Sequence, residues 1–427
     1  MVLKQKTQNL YVFLSSDFVG VLSRHPNGAI GFAYSENWIN TGFSISLSLP
    51  LLKKVFVGEE ASFYFDNLLP DNKTILLAIT QKFRTKSEKQ FDILQAIGRD
   101  CIGALSFYDE PMDKIDFLDK LKIRPLSNSD IERKIKNLAF DSPLGMDSHD
   151  FRISLAGAQE KMALLLWKDG WYEPKGQTPT SHIIKKKMGR VLEGIDCSQS
   201  VDNEHISLMI AKQAFSMNTC ESFISTFNSQ RVLCVERFDR VWKDNFLYRI
   251  PQEDMCQALG ISPIQKYERD GGPSIQIIMQ LLENSNNVEQ DRVNLFKIAM
   301  INDLLFNTDG HAKNISLYRV RRGYALTPFY DILSAHFIFE QDPKLYANLR
   351  SSWSVNKKFK YNEISLSDWN QEAFDSNLTQ EEFDKILSDL SDGIDKVDSV
   401  SFSGDVDIKM LKSIKTGLKR RAKVLGL

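Results

Sequence analysis

The sequence predicts an α+β protein of two lobes, the first rich in strands and the second helical, preceded by a small mixed subdomain. Three observations carry that prediction. Up to about residue 250, short apolar runs of strand character alternate with turn signals. From about residue 252 onward, apolar residues fall at helical spacing instead. One strand-like hairpin, in ISLYRVRRGYALTPFYD, interrupts the helical half. With 427 residues, 42% of them hydrophobic, the chain is long enough to build several cores. The divisions expected are 1–125, 126–250 and 251–427.

In the first part, LYVFLSSDFVGVLS and AIGFAYSENWI read as strands of a hairpin turning at His25-Pro26-Asn27-Gly28, since Asn-Gly favours the left-handed backbone such turns need. A helical stretch is expected near 70–98. DIERKIKNLAF is a short amphipathic helix with Ser127 or Ser129 as its cap. FRISLAGAQEKMALLLWKDGWYEPKG reads as two strands around a small-residue turn, with a further hairpin at Lys168-Asp169-Gly170. A strand follows at Ser181–Lys185, a helix over 203–216, and a strand in RVLCVERFDRVW that leads into a connector. VEQDRVNLFKIAMINDLLF is a helix, with Val293, Phe296, Met300 and Leu304 in register. The last helix puts Leu411, Ile414, Leu418 and Leu425 on one face and Lys412, Lys415, Lys419, Arg420, Arg421 and Lys423 on the other.

Lys plus Arg number 54 and Asp plus Glu 55, so the chain as a whole carries no electrostatic footprint for nucleic acid or membranes. Cys101, Cys197, Cys220, Cys234 and Cys256 are odd in number and widely spaced, which indicates neither a zinc site nor a disulfide framework. The first residues lack the apolar core of a signal peptide, and no window approaches the ~20 apolar residues of a membrane span. A soluble, cytoplasmic protein with no membrane partner is expected.

The most informative stretch is Asn307-Thr308-Asp309-Gly310-His311-Ala312-Lys313-Asn314. A carboxylate and an amide at this spacing, on a loop after a buried helix, suit phosphoryl transfer. Asp309 would accept the proton of a substrate hydroxyl, and Asn314 would give an oxygen to a magnesium ion. Asp331, just past the hairpin, would be the second metal carboxylate. An ordinary Asp-Gly turn is the competing explanation. His311 reads better as a loop histidine fixing backbone geometry than as a base, because no HxH or HExxH pattern accompanies it.

Ser154-Leu155-Ala156-Gly157-Ala158-Gln159-Glu160-Lys161 has small residues that let a backbone approach phosphates, yet it lacks the Walker pattern, so a plain hairpin turn stays open. Lys185 ends an apolar strand, as a phosphate-holding lysine would, with Glu204 as a possible ion-pair partner. The neighbouring Lys186 and Lys187 leave a solvated charge run as the alternative. Glu236-Arg237-Phe238 leaves a strand at a lobe crossing, where backbone groups could read an adenine edge, or it is simply a charged strand end.

Taken together, FDNLLPDN, IGRDCIGAL, FRISLAGAQEKMALL, SHIIK, SQSVDNE, VERFDR, PQEDMCQALG, KYERDGGP, TDGHAKN and LTPFYDILSA resemble, in order, the signature segments of the HipA family of toxin kinases. The resemblance runs from about residue 20 to about 340 and fades after 345. It implies a two-lobed protein-kinase-like fold: an extra N-terminal subdomain, a strand-rich N-lobe with phosphate loop and hinge, and an all-helical C-lobe with catalytic and metal loops. It implies a serine/threonine kinase using ATP and Mg2+, with Asp309 as proton acceptor and Asn314 and Asp331 on the metal. Ala156, Gly157, Ala158, Gln159, Glu160 and Lys161 would form the phosphate loop. Lys185 would contact ATP phosphates, Glu236, Arg237 and Phe238 would form the hinge, and His311, Ala312 and Lys313 would line the nucleotide site. Ser154 would be autophosphorylated and so switch the enzyme off.

The resemblance further implies glutamyl-tRNA synthetase as target, a HipB-like helix-turn-helix antitoxin as partner, and operator DNA bound through their complex. Lys357, Lys358 and Lys360 give no clear match to a DNA-contacting region, and the basic face of the last helix is compatible with simple solvation. Two other readings remain open: a DNA-bound co-repressor with weak or no catalysis, and a small-molecule kinase.

Overall fold

The computed structural model describes residues 6–112, 121–138, 143–146, 152–156, 159–190 and 194–427. The N-terminal sheet collects β1 (Gln8–Leu14), β2 (Asp17–Arg24), β3 (Ile30–Tyr34), β4 (Val55–Val57) and β5 (Leu105–Tyr108) in the antiparallel order β4-β3-β2-β1-β5. The expected turn joins β2 to β3: Gly28 has φ 85°, and its N–H donates to the His25 carbonyl at 2.8 Å. LYVFLSSDFVGVLS is itself two strands, turned at Ser15 with φ 53°. Four helices, α1 (Glu36–Thr41), α2 (Glu59–Asp66), α3 (Lys73–Phe83) and α4 (Gln90–Ile97), complete this part around a core of Phe32, Phe56, Phe65, Phe91 and Phe107.

The second sheet comprises β6 (Ile123–Pro125), then, after α5 (Asn128–Lys136), β7 (Lys161–Trp167), β8 (Gly170–Pro174), β9 (His182–Lys186), β10 (Ser222–Phe227) and β11 (Gln230–Glu236), in the order β10-β11-β9-β7-β8-β6. Ser127 caps α5 in a capping box with Asp130, which places Ser129 inside the helix. Lys168 and Asp169 take φ 47° and 60°, the left-handed pair that a two-residue hairpin demands. The strand expected ahead of the small-residue turn is absent among the described residues: Ile153 makes only an isolated bridge to Asp100. Behind the sheet lies α6 (Ser200–Met209), continued by a π-helical turn over Ile210–Ala214.

A hairpin of β12 (Arg240–Lys243) and β13 (Phe246–Arg249) leads into the C-terminal half. There β14 (Gln252–Asp254) joins the predicted hairpin, β15 (Ser316–Val320) and β16 (Gly323–Leu326), as a three-stranded sheet. The helices are α7 (Met255–Leu259), α8 (Ile275–Leu281), α9 (Val288–Leu305), α10 (Ile338–Gln341), α11 (Pro343–Tyr346), α12 (Leu366–Asp375), α13 (Gln380–Lys396) and α14 (Ile408–Leu425). This lobe is therefore not all-helical, since β17 (Arg350–Val355) and β18 (Lys358–Lys360) add a second pairing. Its helix α9 is buried from Leu295 to Leu305, so it forms the axis of the lobe's core. No helix among the described residues is long and apolar enough to cross a membrane.

Arg421 departs from the expected basic face. It follows Leu418 by three positions and precedes Leu425 by four, so it sits on the apolar stripe. It is buried there, with its guanidinium on both oxygens of Asp303 of α9 at 2.6 and 2.9 Å. Trp369 donates to the same carboxylate at 2.7 Å.

Candidate active site

The loop that carries Asp309 starts where α9 is forced to stop. Phe306 takes the left-handed conformation, φ 53°, and its ring stacks on Tyr361 at 4.4 Å. Tyr361 donates its hydroxyl to the Asn307 carbonyl at 2.6 Å, and Ser352 donates to the Thr308 carbonyl at 3.0 Å. The Asn307 amide donates to Asn302 Oδ1 at 3.0 Å and accepts from the Asp309 N–H at 3.0 Å. Gly310 is required by this close packing: a Cβ there would lie 2.7 Å from Asn302 Nδ2. The Asp309 side chain itself remains 43% exposed and so is reachable by a substrate.

Asn314 closes the loop by donating Nδ2 to the Asp309 carbonyl at 2.7 Å. His311 is buried, with Nε2 3.4 Å from Asp309 Oδ1 and its ring edge-on to Tyr267 at 4.9 Å. Burial depresses the His311 pKa against the pull of Asp309, favouring the neutral ring. Ala312 is fully buried, its N–H on the Lys266 carbonyl at 3.1 Å. Tyr267 lies in KYERDGGP, where nothing in the local sequence marks it as a partner of Asp309. Its hydroxyl donates to Asp309 Oδ1 at 2.5 Å.

Across from this loop, Lys185 extends from β9, buried to 6% exposure. Its ammonium is 2.6 Å from Glu204 Oε1 of α6 and also donates to Asp331 Oδ1. Burial alone would lower the Lys185 pKa, but Asp331 and Glu204 outweigh it and hold the ammonium charged well beyond the ordinary range. Burial works to raise Asp331, and Lys185 and Lys161 outweigh it, so the carboxylate stays ionised. Burial raises Glu204, opposed by Lys185. Asp331 has φ 55°, left-handed backbone that an aspartate tolerates better than most side chains. Lys161, at the head of β7, is buried and its pKa is pushed down to about 8 by burial, with Asp331 pulling the other way.

The residues expected to form a phosphate loop divide. Gly157 and Ala158 lie outside the described residues. Ala156 is half-buried. Gln159 donates to the Lys186 carbonyl at 2.9 Å and Glu160 pairs with Lys186 at 3.0 Å, so both side chains bind the end of β9. Ser154 is fully buried and donates its hydroxyl to the Leu68 carbonyl of the N-terminal part at 2.7 Å.

Two expected nucleotide-site side chains are engaged elsewhere. Lys313 bonds the Asn67 carbonyl and Oδ1 at 3.0 and 2.8 Å and faces Asp254 at 3.6 Å. Arg237 lies buried on Asp239 at 2.8 Å and Thr180 at 2.8 Å, 3.4 Å from Asp100. Asp100 also pairs with Arg240 at 2.9 Å and Arg249 at 3.0 Å. Burial would raise the Asp100 pKa, but the three guanidinium groups hold it far below the carboxylate range. Glu236 is exposed, and Phe238 is half-buried, its ring 5.4 Å from Tyr330, the neighbour of Asp331.

Asn314 and Asp331 are oxygen-bearing side chains of the kind that would suit a hard divalent cation. Among the described residues, no group of three or more His, Cys, Asp and Glu is arranged to hold a metal unaided. Phosphate oxygens would have to complete the shell, which suits a metal that arrives with a nucleotide.

The HipA N-terminal domain matches residues 10–108, and the HipA-like C-terminal domain matches residues 153–397, which is further than the sequence resemblance was expected to reach. A putative kinase, Y4mE, of Sinorhizobium fredii is 30% identical over 366 residues, 84% of this chain and 84% of that protein. The serine/threonine-protein kinase toxin HipA of Shewanella oneidensis is 27% identical over 377 residues, 85% and 83% of the two chains. A solved Shewanella oneidensis assembly of HipA, HipB and its operator DNA contains a chain of like fold, with TM-score 0.80, 24% identity and 98% of each chain covered. Because the C-terminal match alone spans more than half of the residues, the chain belongs to the HipA family of serine/threonine-protein kinase toxins.

Proposed function

We propose that this protein transfers the γ-phosphoryl group of ATP to serine or threonine hydroxyls of a protein, with magnesium as the accompanying ion. One observation carries the reading: Lys185, Glu204 and Asp331 form a single charge chain, buried at Lys185 and Glu204 and partly open at Asp331, opposite the Asp309–Asn314 loop. In this reading Asp309 orients the substrate hydroxyl and takes its proton, while Lys161 and Lys185 face the phosphates. Asn314 and Asp331 hold magnesium, which offsets the charge of the β- and γ-phosphates when bound. Ala156 to Lys161 pass over the phosphates through their backbone, and the Glu236–Phe238 segment borders the adenine. Arg237 and Lys313 support the site from behind, because their charged groups are already paired. The divisions 1–125, 126–250 and 251–427 belong to the same reading, with β6 contributed across the first boundary.

Autophosphorylation of Ser154 is part of the proposal. Its hydroxyl is buried on Leu68, so the segment must leave its seat before phosphate can be accepted, and a phosphoserine could not return to it. Glutamyl-tRNA synthetase as target, a HipB-like antitoxin as partner and a cytoplasmic setting follow from the family resemblance. The Shewanella assembly with operator DNA favours a second role, co-repression, for which Lys412, Lys415, Lys419 and Lys423 on α14 offer a basic surface.

The test is phosphate incorporation by the purified chain with Mg2+ and ATP, read by intact mass and peptide mapping. A one-phosphate gain at Ser154 that Asp309→Asn abolishes is expected. A parent chain that neither modifies itself nor any protein of a cell extract overturns the kinase reading and leaves co-repression, checked by an operator gel shift with a HipB-like protein.

A further inference from the structure

Four consecutive residues of α6 leave the helix toward four different places. Asp202 accepts from Arg231 of β11 at 2.7 and 3.2 Å and from the Asp407 N–H at the start of α14 at 2.8 Å. Glu204 meets Lys185, and the His205 ring lies 3.0 Å from the Ser222 hydroxyl of β10. Asn203 reaches the segment that follows Asp331: Nδ2 donates to the Ser334 carbonyl at 2.7 Å, and Oδ1 accepts from the Ser334 N–H at 2.8 Å. All four side chains belong to residues no more than 5% exposed.

The Asn203–Ser334 ring engages both backbone groups of one residue, so it fixes that residue's position and its rotation together. Of the side chains that fit, only asparagine offers a donor and an acceptor in one plane at this reach. Ser334 passes the restraint on, donating its hydroxyl to the Leu305 carbonyl at the end of α9 at 2.9 Å. Two residues later, His336 Nε2 lies 2.8 Å from the Leu304 carbonyl. Asp331 stands three residues ahead in a left-handed conformation, which persists only where surrounding contacts determine it.

We infer that Asn203 is a positioning residue of the phosphotransfer site. Through Ser334 it registers the Asp331 segment against the helix that carries Glu204, so that Asp331 can offer an oxygen to the metal while Glu204 holds Lys185. The inference rests on the kinase reading above.

The experiment measures binding of a fluorescent ATP analogue to the full chain, first in EDTA and then across a magnesium titration, beside thermal unfolding. For Asn203→Ala the expected result is an affinity in EDTA close to that of the parent, with the magnesium concentration for half-maximal tightening raised about tenfold. A parent-like magnesium titration overturns the inference. Asp331→Ala separates the two levels. If it also keeps the magnesium-dependent tightening, the reading of the site itself fails. If it loses the tightening while Asn203→Ala retains it, only the positioning role fails. Should Asn203→Ala not fold, Asn203→Asp, of equal volume but without the donor, is titrated in its place with the same two outcomes.

Discussion

The hydroxyl of Tyr267 donates a 2.5 Å hydrogen bond to Oδ1 of Asp309, the oxygen that also faces His311 Nε2 at 3.4 Å. Burial and the adjacent carboxylate hold the Tyr267 proton far above the ordinary phenol range, so tyrosine stays the donor. One oxygen of Asp309 is thereby fixed, which aims the other. Tyr267→Phe should lower kcat about tenfold, the scale of one lost hydrogen bond to a charged group, and leave the KM for ATP near its parent value. Steady-state kinetics check this, and an unchanged kcat would remove Tyr267 from the machinery.

Lys185→Met leaves Glu204 and Asp331 without the cation that joins them. Breaking a buried pair in this way costs on the order of 3 kcal/mol. Urea unfolding should show that loss, and phosphate transfer should fall below detection. A stable, active Lys185→Met protein contradicts the charge chain.

Lys161 carries its proton below about pH 8 and loses it above, because burial lowers its pKa to about 8. Attraction for nucleotide phosphates is therefore present on the acid side of that value and weakens above it. The affinity for ATP should decline across pH 8 in the parent chain, and Lys161→Arg should remove the decline. A pH profile that is flat in the parent, or identical in Lys161→Arg, assigns the lysine no part in binding.

Asp100 has its pKa depressed in the folded state by Arg240, Arg249 and Arg237, which outweigh burial. Its stabilisation is fully present above the ordinary carboxylate pKa of about 4 and is lost as pH falls toward the lower folded value. Asp100→Asn should cost about 3–5 kcal/mol at neutral pH, and the gap between the two proteins should close on acidification below about pH 4. Denaturant titrations across pH measure both effects.

Gly310→Ala places a methyl group 2.7 Å from Asn302 Nδ2 and 3.2 Å from its Cγ. The Asn302–Asn307 support must shift, which should cost about 1–3 kcal/mol and displace Asp309. Activity should fall more steeply than the melting temperature. Parent-like turnover would show that the loop tolerates another seat.

The Asp309, Asn314 and Asp331 pattern was legible because local spacing determines it: a helix ending, a short loop, a hairpin and a carboxylate just past it. The partnership of Lys185 with Glu204 was also open to reading, since strand end and following helix are near neighbours in the chain. Arg237 reads as a strand exit, and nothing local announces that Asp100 waits for it 137 residues earlier. Tyr267 sits 42 residues before Asp309 in a segment with no helical or strand period. The charge of Arg421 predicts solvation, while its place between Leu418 and Leu425 points inward. Local periodicity carries element identity, whereas pairings over long separations depend on how the sheets stack.

Asp100 comes from the N-terminal part, whereas the three arginines around it come from the segment that crosses between lobes. Residues 126–427 expressed alone would therefore set three guanidinium groups against the Asp239 carboxylate without Asp100, an excess of interior positive charge that resists closing. Whatever divisions the sequence shows, the N-terminal part and the lobes behind it should melt in a single cooperative transition. Insertions at the join should be tolerated only where they leave that cluster of charges intact.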